Sequence, residues 1–476
     1  MLVQTMAHIR QDFLNSISEI LPEHLTMDDF VRYSQMPLRR SIRINTLKID
    51  CPSFIEMMRP KGWHFEPVPW CDSGYWLTRD DESTMLGNTI EHLAGLFYIQ
   101  EASSMMPPAA MASLVNNAQA VLDVASAPGS KTTQLAAWMD NEGVLIANEY
   151  SASRLKGLHA NLQRLGIGNV NLTHFDGRVF GPTLPETFDA VLLDAPCSGE
   201  GTLRKDPDSL NNWSLESTES IAAMQRDLIE SAFVALKPGG VLVYSTCTLN
   251  HRENQDVCHH LQQRFPDAVA FEDLTGLFGD AHKAITREGF LHIWPQVFDS
   301  EGFFIAAIRK TQPVDSDYRK PRLGRFPFGF ASRKQAEELE AHLHSQFGLS
   351  LPDSHTLMSR DKELWLFPKG SDAFIDKIRM QRLGLKVAEC HKHGIKISHQ
   401  AVMLLGQDSP SSMALDDAQA VQYLQGRDVA MDNSDKRKGE VIVSYRGFPL
   451  GLAKWVNNKL KNSLPRELVR DKVALK

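Results

Sequence analysis

The 476-residue sequence contains no uncharged apolar run approaching the roughly 18 residues a membrane helix needs. Its opening, MLVQTMAHIRQDF, lacks the apolar centre of a signal peptide, because Gln4, His8 and Arg10 interrupt it. A cytoplasmic protein with no membrane contact is expected. Cysteine is scarce: six in so long a chain exclude a disulfide scaffold and leave thiols as the expected form. Cys51, Cys71, Cys258 and Cys390 read as small buried hydrophobes. There is no C-x-x-C pair. Cys258-His259-His260 and Cys390-His391-Lys392-His393 are runs of neighbours that cannot all turn toward one ion, so no metal site is expected. Excess positive charge is missing too: the formal net charge of -7 speaks, by itself, against a nucleic-acid binder.

What is present is an ordinary globular balance, 42% hydrophobic and 23% charged, over a length that suggests about three domains or more. Positive charge is concentrated locally. From Lys436 to Lys476, eleven Lys/Arg stand against three acids, Glu440, Glu467 and Asp471. Shorter basic runs are Arg39, Arg40, Arg43 and Lys48, then Arg319, Lys320, Arg322 and Arg325. Each short run reads equally well as solvated surface, whereas the tail points to a phosphate partner on one face.

Four sections follow. Residues 1–105 open with helical periodicity (Ile9, Phe13, Ile17, Ile20) and run into RRSIRINTLK, whose alternation suggests a strand; this is expected to be an α+β region. Residues 106–310 alternate strands and helices. Residues 311–384 form a linker, TQPVDSDYRKPRLGRFPFG, and an intermediate domain. Residues 385–476 carry short strand-like runs such as 441–445. There is no internal repeat.

The middle section decides the fold class, α/β. VLDVAS (121–126) is an apolar strand entering a Pro-Gly turn, with helical KTTQLAAWM after it. VLIANE (144–149), a helix to about Leu165, VNLTHFD (170–176), DAVLLDAP (189–196), a helix over 221–236 and GVLVYSTC (240–247) complete the pattern. Short apolar strands alternating with helices predict a parallel sheet covered on both faces, a Rossmann-like fold. In such sheets ligands bind beyond the carboxyl ends of the strands.

ASAPGSKT after the first strand is not a P-loop, because Ser130 stands where glycine is required before Lys131, nor a G-x-G-x-x-G turn. Small residues there still admit a ligand close to the backbone. Glu149, ending the second strand, can accept two ribose hydroxyl protons, and Asp176, ending the third, an adenine amino proton. An adenosine without a phosphate cradle points to S-adenosylmethionine. Each acid alone reads equally as a cap on the next helix.

Two cysteines sharpen the chemistry. Cys197 follows Asp194-Ala195-Pro196 and Cys247 ends the next strand, about 5 Å away across a parallel pair. Two thiols in one pocket suit alkylation of an unactivated aromatic carbon. A thiolate adding to carbon 6 of cytosine makes carbon 5 nucleophilic, and a base then removes the carbon-5 proton. Asp194 can hold ring nitrogen 3 and the exocyclic amine while charge develops. Asn250 and Glu253 read as a capping box for the following helix, and Phe303 and Phe304 as core.

DVASAPGSKTTQLA, DAPCSGEGT and STCTLNHRENQ, in this order, resemble the NOL1/NOP2/Sun family of RNA 5-methylcytosine methyltransferases. RRSIRINTLK, YIQEASSMMPP and EGFFIAAIRK extend the resemblance over most of the chain. VSYRGFPLGLAKWVNNKLKNSLPREL is similar to the PUA-like end domain of bacterial members. The resemblance implies RNA binding by the first and last sections. It implies S-adenosylmethionine as cofactor, held by Ala125, Ser126, Ala127, Pro128, Gly129, Ser130, Lys131, Glu149, Asp176 and Asp194. It makes Cys247 the nucleophile and Cys197 the helper in product release, roles that spacing alone leaves open, since DNA cytosine methyltransferases use the Pro-Cys thiol. It further implies a cytosine in the decoding region of 16S rRNA, in the 30S subunit, as target of a monomeric enzyme. Ser130 departs from the family's usual second glycine. The competing expectations are a tRNA substrate, a non-catalytic RNA-binding protein, which would need neither thiol, and a nicotinamide oxidoreductase, which would need the missing glycine fingerprint.

Overall fold

The computed structural model describes residues 9–317, 325–392, 394–431 and 439–473. Gln4, His8, Arg319, Lys320, Arg322, His393, Lys436, Arg437, Lys438 and Lys476 lie outside the described residues.

The periodicity at Phe13 and Ile17 becomes helix Gln11–Ser18. Its apolar face packs on Phe30, Trp213 and Trp294, tying the first helix to the catalytic section. RRSIRINTLK yields only the four-residue strand Ser41–Ile44, inside an antiparallel sheet ordered Trp63–Pro67, Gly74–Arg79, Ser41–Ile44, Phe97–Ile99. Just past the strand the Asn45 side-chain amide donates to the carbonyls of Gly95 and Leu165, at 2.9 Å each.

Half of this basic run is not surface, which corrects both readings for Arg43 and Lys48. Arg43 and Lys48 are buried. Arg43 donates to Gln100 Oε1 (2.9 Å) and Thr133 Oγ1 (2.7 Å), Lys48 to the Ala94 carbonyl (2.8 Å). Burial lowers Arg43 to about 10 and Lys48 to about 7. These cations bind the N-terminal layer to the catalytic section, and Arg40 alone stays exposed.

The central sheet has eight strands: β1 (Ala120–Asp123), β2 (Val144–Asn148), β3 (Val170–Thr173), β4 (Phe188–Asp194), β5 (Leu236–Thr246), β6 (Val269–Glu272), β7 (Leu291–Ile293) and β8 (Phe303–Lys310). Their order is β6-β8-β5-β4-β1-β2-β3, with β7 on β8. Successive residues alternate faces. Val121, Leu145 and Leu192 pack under helices Ser130–Trp138 and Ala152–Leu165, while Leu122, Ile146 and Val191 pack under Leu215–Ala235 and Gln255–Arg264. The first five strands are parallel, as expected. The wholly parallel sheet is corrected at one edge: β8 inserts antiparallel between β5 and β6. Its residues Phe303–Ile308 are buried on both faces, so their apolarity carries no sign of direction.

Beyond β8, the strands Gly329–Phe330, His355–Arg360, Glu363–Pro368, Leu385–His391 and Gly394–Ile397 form one sheet in that order. The division expected between 384 and 385 falls inside it, since Leu385–His391 pairs with Glu363–Pro368. A last five-stranded sheet contains Gly439–Tyr445, Phe448–Val456 and Lys459–Asn462. Its core is continuous with the N-terminal sheet, where Met413, Val443 and Tyr445 join Ile42, Ile44 and Trp63. Among the described residues no helix is long and apolar enough to cross a membrane.

Candidate active site

The turn after β1 is shaped by Gly129, whose φ of +105° caps helix Ser130–Trp138. That positive φ strains any other residue, and a Cβ there would also push on Leu158 Cδ1 at 2.9 Å. Ser130, at the first helical position, is half-buried and unstrained in a place where no positive φ is demanded. The Ser126 amide donates to the Asn148 carbonyl at the end of β2 (2.8 Å). Glu149, 3% exposed, closes the same corner: its carboxylate accepts from the amides of Ala127 (3.3 Å) and Ser151 (2.7 Å), with Arg154 at 3.5 Å. A carboxylate has about four acceptor sites, which leaves Glu149 capacity for hydroxyl donors. Asp176 caps the short turn Gly177–Val179 through the Arg178 amide (3.0 Å) and pairs with the Arg178 guanidinium (2.6 Å), whose hydrogen bond holds its carboxyl below the usual range.

Asp194 ends β4 beside Ser245 of β5 in the parallel register. The Ser245 hydroxyl donates to Asp194 Oδ1 (2.8 Å), and the Lys131 ammonium reaches Oδ2 (2.7 Å) and Ser104 Oγ (2.9 Å). Burial works against the Lys131 charge, but Asp194, with Cys247 and Asp123 nearby, more than offsets it and holds the lysine above its ordinary value.

The same register brings together the two residues just past the strand ends. Cys197 Sγ and Cys247 Sγ lie 3.0 Å apart, and the Cys247 amide donates to Cys197 Sγ (3.3 Å). Both are free thiols. The Cys247 hydrogen bond and burial push Cys197 well above the usual thiol range, so Cys197 keeps its proton.

Two buried acids that sequence reasoning undervalued hold these loops. Glu200 accepts from the amides of Leu249 (3.0 Å) and Asn250 (2.9 Å), from Thr248 Oγ1 (2.8 Å) and from Trp213 Nε1 (2.7 Å). Glu253 accepts from the Ser198 amide (2.9 Å) and Asn250 Nδ2 (2.7 Å). The capping-box reading is thereby corrected. The Glu253 amide does donate to Asn250 Oδ1 (2.9 Å), but the Asn250 amide goes to Glu200 and the α-helix opens only at Gln255. Glu253 instead fastens the Cys197 loop to the Cys247 loop.

Asp123, at the end of β1, was not singled out by sequence. It is 1% exposed, takes a hydrogen bond from Thr132 Oγ1 (2.7 Å) on Oδ2, and is raised to about 7, chiefly by burial. Glu301 lies behind the site, its amide donating to Glu101 Oε1 (3.4 Å), and is raised to about 8 by burial and the Glu101 charge.

Comparisons with known proteins agree along the whole chain. Residues 110–309 match the model of the 16S rRNA methyltransferase RsmB/F family, and 9–102 the N-terminal domain of 16S rRNA methyltransferase RsmF. Residues 328–405 match the pre-PUA domain of ribosomal RNA small subunit methyltransferase F, and 410–470 the methyltransferase RsmF PUA domain. The chain is 58% identical to ribosomal RNA small subunit methyltransferase F of Shewanella loihica, covering 98% of this chain and 97% of that one. The protein of the same name in Aliivibrio salmonicida is 57% identical, covering 96% and 97%. Among solved structures, a methyltransferase homolog protein from Pyrococcus horikoshii is 34% identical with TM-score 0.52, over 63% of this chain and 100% of that one. NSun6 from the same organism, with SFG, shares the fold at TM-score 0.54 and 23% identity, over 64% and 98%.

Proposed function

We propose, from the premise that this chain belongs to the ribosomal RNA small subunit methyltransferase F family and is an rRNA methyltransferase, that it methylates carbon 5 of a cytosine in 16S rRNA within the 30S subunit. The observation that carries this reading is the 3.0 Å contact between Cys197 and Cys247 sulfurs beside the Lys131–Asp194 pair.

The corner formed by the 125–129 turn and Glu149 fits S-adenosylmethionine. It offers small residues at close approach and a buried carboxylate with spare acceptor capacity. Ala125, Ser126, Ala127, Pro128, Gly129, Ser130, Lys131, Glu149 and Asp176 would hold it, with Asp194 between cofactor and base. When bound, it supplies a methyl group on a sulfonium.

The chain's own residues account for the rest. The Cys247 thiolate bonds to carbon 6, and the carbon 5–carbon 6 electron pair moves so that negative charge reaches ring nitrogen 3. The Lys131 ammonium is placed to balance that charge without reorganisation, while the Asp194 carboxylate is placed to accept from the exocyclic amine. Carbon 5 takes the methyl with its own electron pair. A base then takes the carbon-5 proton, the double bond re-forms, and Cys247 leaves as thiolate, eased by the hydrogen bond from the Cys197 thiol. Methylation assays on 30S subunits, naked 16S rRNA and tRNA, with the product base mapped, test the proposal. 5-Methylcytosine in 16S rRNA is the expected product, and methylation of tRNA alone would overturn it.

A further inference from the structure

Between the N-terminal layer and the catalytic section lies a cleft of about 440 Å³, lined by Arg40, Met85, Ile99, Glu101 and Lys205 among others. Two apolar side chains stand open in it: Met85 is 75% exposed and Ile99 42%. Single exposed hydrophobes need no explanation, but two in one cleft beside unburied cations do. Neither is loosely held. Ile99 ends a sheet strand paired with Ile42. Met85 follows Thr84, whose carbonyl is fixed by Arg79 (2.6 Å), and precedes the buried Leu86. Lys205 is exposed and makes no side-chain hydrogen bond or close ion pair among the described residues, acting on Glu301 only through its charge, while Arg40 has one ion pair, to the exposed Glu82 at 3.2 Å. Such a pair is weak enough to exchange for phosphate.

The cleft is also linked by hydrogen bonds to the candidate site. The Glu101 carboxylate at its inner end accepts from the Ser104 amide (3.2 Å), and Ser104 Oγ accepts from Lys131, which binds Asp194. A base in a structured RNA must leave its stack to reach Cys247, and apolar side chains that enter the vacated step keep it open.

We propose that this cleft receives the ribonucleotides flanking the target, with Met85 and Ile99 filling the gap in the base stack and Arg40 and Lys205 holding the adjoining phosphates. The inference rests on the RNA methyltransferase reading above. Both parts are tested on the full-length protein with 30S subunits, after equal melting temperature and equal S-adenosylmethionine affinity have been checked for each variant. A Met85→Ala/Ile99→Ala double variant should lose at least tenfold in single-turnover methylation rate with 30S affinity changed less than threefold, and Met85→Leu/Ile99→Leu should recover most of the rate. Lys205→Glu and Arg40→Glu should each weaken 30S binding severalfold and make its salt dependence shallower by about one counterion. Wild-type rate in the double alanine variant, or a loss that the leucine pair does not restore, overturns the wedge. Wild-type affinity and salt slope in both charge variants overturns the phosphate contacts. Failure of the wild-type protein itself to methylate 30S cytosine would instead strike the underlying reading.

Discussion

Lys131 and Asp194 are joined across the mouth of the catalytic sheet, ammonium to carboxylate at 2.7 Å, from a helix after β1 to the end of β4. The lysine is 8% exposed and also donates to Ser104 at 2.9 Å. Its charge is therefore fixed in place beside Cys247 before any substrate arrives, which is the condition for electrostatic preorganisation.

Lys131→Met removes that charge while keeping the length of the side chain. Loss of one preorganised charge where charge develops costs on the order of 10²-fold in kcat. The expected result is such a fall with rRNA affinity little changed. Single-turnover rates under saturating cofactor provide the check, and an unaltered rate would remove Lys131 from catalysis.

The tail gives a second expectation. Its core is shared with the N-terminal sheet, so deleting it would strip cover from Ile42 and Trp63 and confound any binding assay. Its charge can be altered without that damage. Lys454 and Lys461 are exposed and sit directly opposite each other across two antiparallel strands, with exposed Lys459 nearby. Like charges so placed repel, and with Glu440 facing Lys454 from the neighbouring strand the lysines form a local cationic face suited to a phosphate. Lys454→Glu/Lys459→Glu/Lys461→Glu should weaken binding to 30S subunits and flatten the log–log salt slope by about two. Calorimetric affinity for S-adenosylmethionine should stay as in the wild type. Identical salt slopes for both proteins would take this face out of RNA binding.

Asp123 yields a pH prediction. Its carboxyl is raised from the ordinary 3.8 to about 7 by burial, with Thr132 its hydrogen-bond donor. Between those values the folded protein holds a proton that the unfolded chain has released. Stability from this group is thus complete below pH about 4 and is lost as pH rises through about 7. The span corresponds to on the order of 4 kcal/mol. Asp123→Asn keeps the shape and removes the titration, so its melting temperature should fall less than that of wild type between pH 4 and 8. Parallel curves for the two proteins would show that Asp123 is ionised in the fold.

The parts legible in the sequence were those whose signal is local. Runs through Glu149, Asp194 and Cys247 marked the ends of β2, β4 and β5 within one or two residues, because strand and turn chemistry share a few adjacent positions, while β5 begins four residues earlier than read, at Leu236. Residues acting through distant partners were not legible. Glu200 reads as a loop acid in DAPCSGEGT until Thr248, Leu249 and Asn250 are seen to converge on it. Arg43 reads as surface charge until Thr133, ninety residues away, is found beside it. Strand direction in β8 was hidden for another reason: burial on both faces looks the same for either direction.

The two cysteines should fail differently if Cys247 is the nucleophile and Cys197 the helper in release. Cys197 is held as a thiol by its contact with Cys247 and by burial, so it is poorly suited to attack carbon 6 and well suited to donate a hydrogen bond to a departing sulfur. Cys247 shares that contact and lies within electrostatic reach of Lys131. Cys247→Ala should abolish methylation and leave no covalent protein–RNA species. Cys197→Ala should still attack and transfer methyl, but expel the thiolate slowly, so an adduct resistant to denaturation should accumulate. A denaturing gel of each variant incubated with 30S subunits and S-adenosylmethionine reads both outcomes at once. Adduct in Cys247→Ala with none in Cys197→Ala would reverse the roles. Methylation surviving both changes would mean that the paired sulfurs serve the fold, because a sulfur that bonds to carbon 6 cannot be replaced by a methyl group without loss of the reaction.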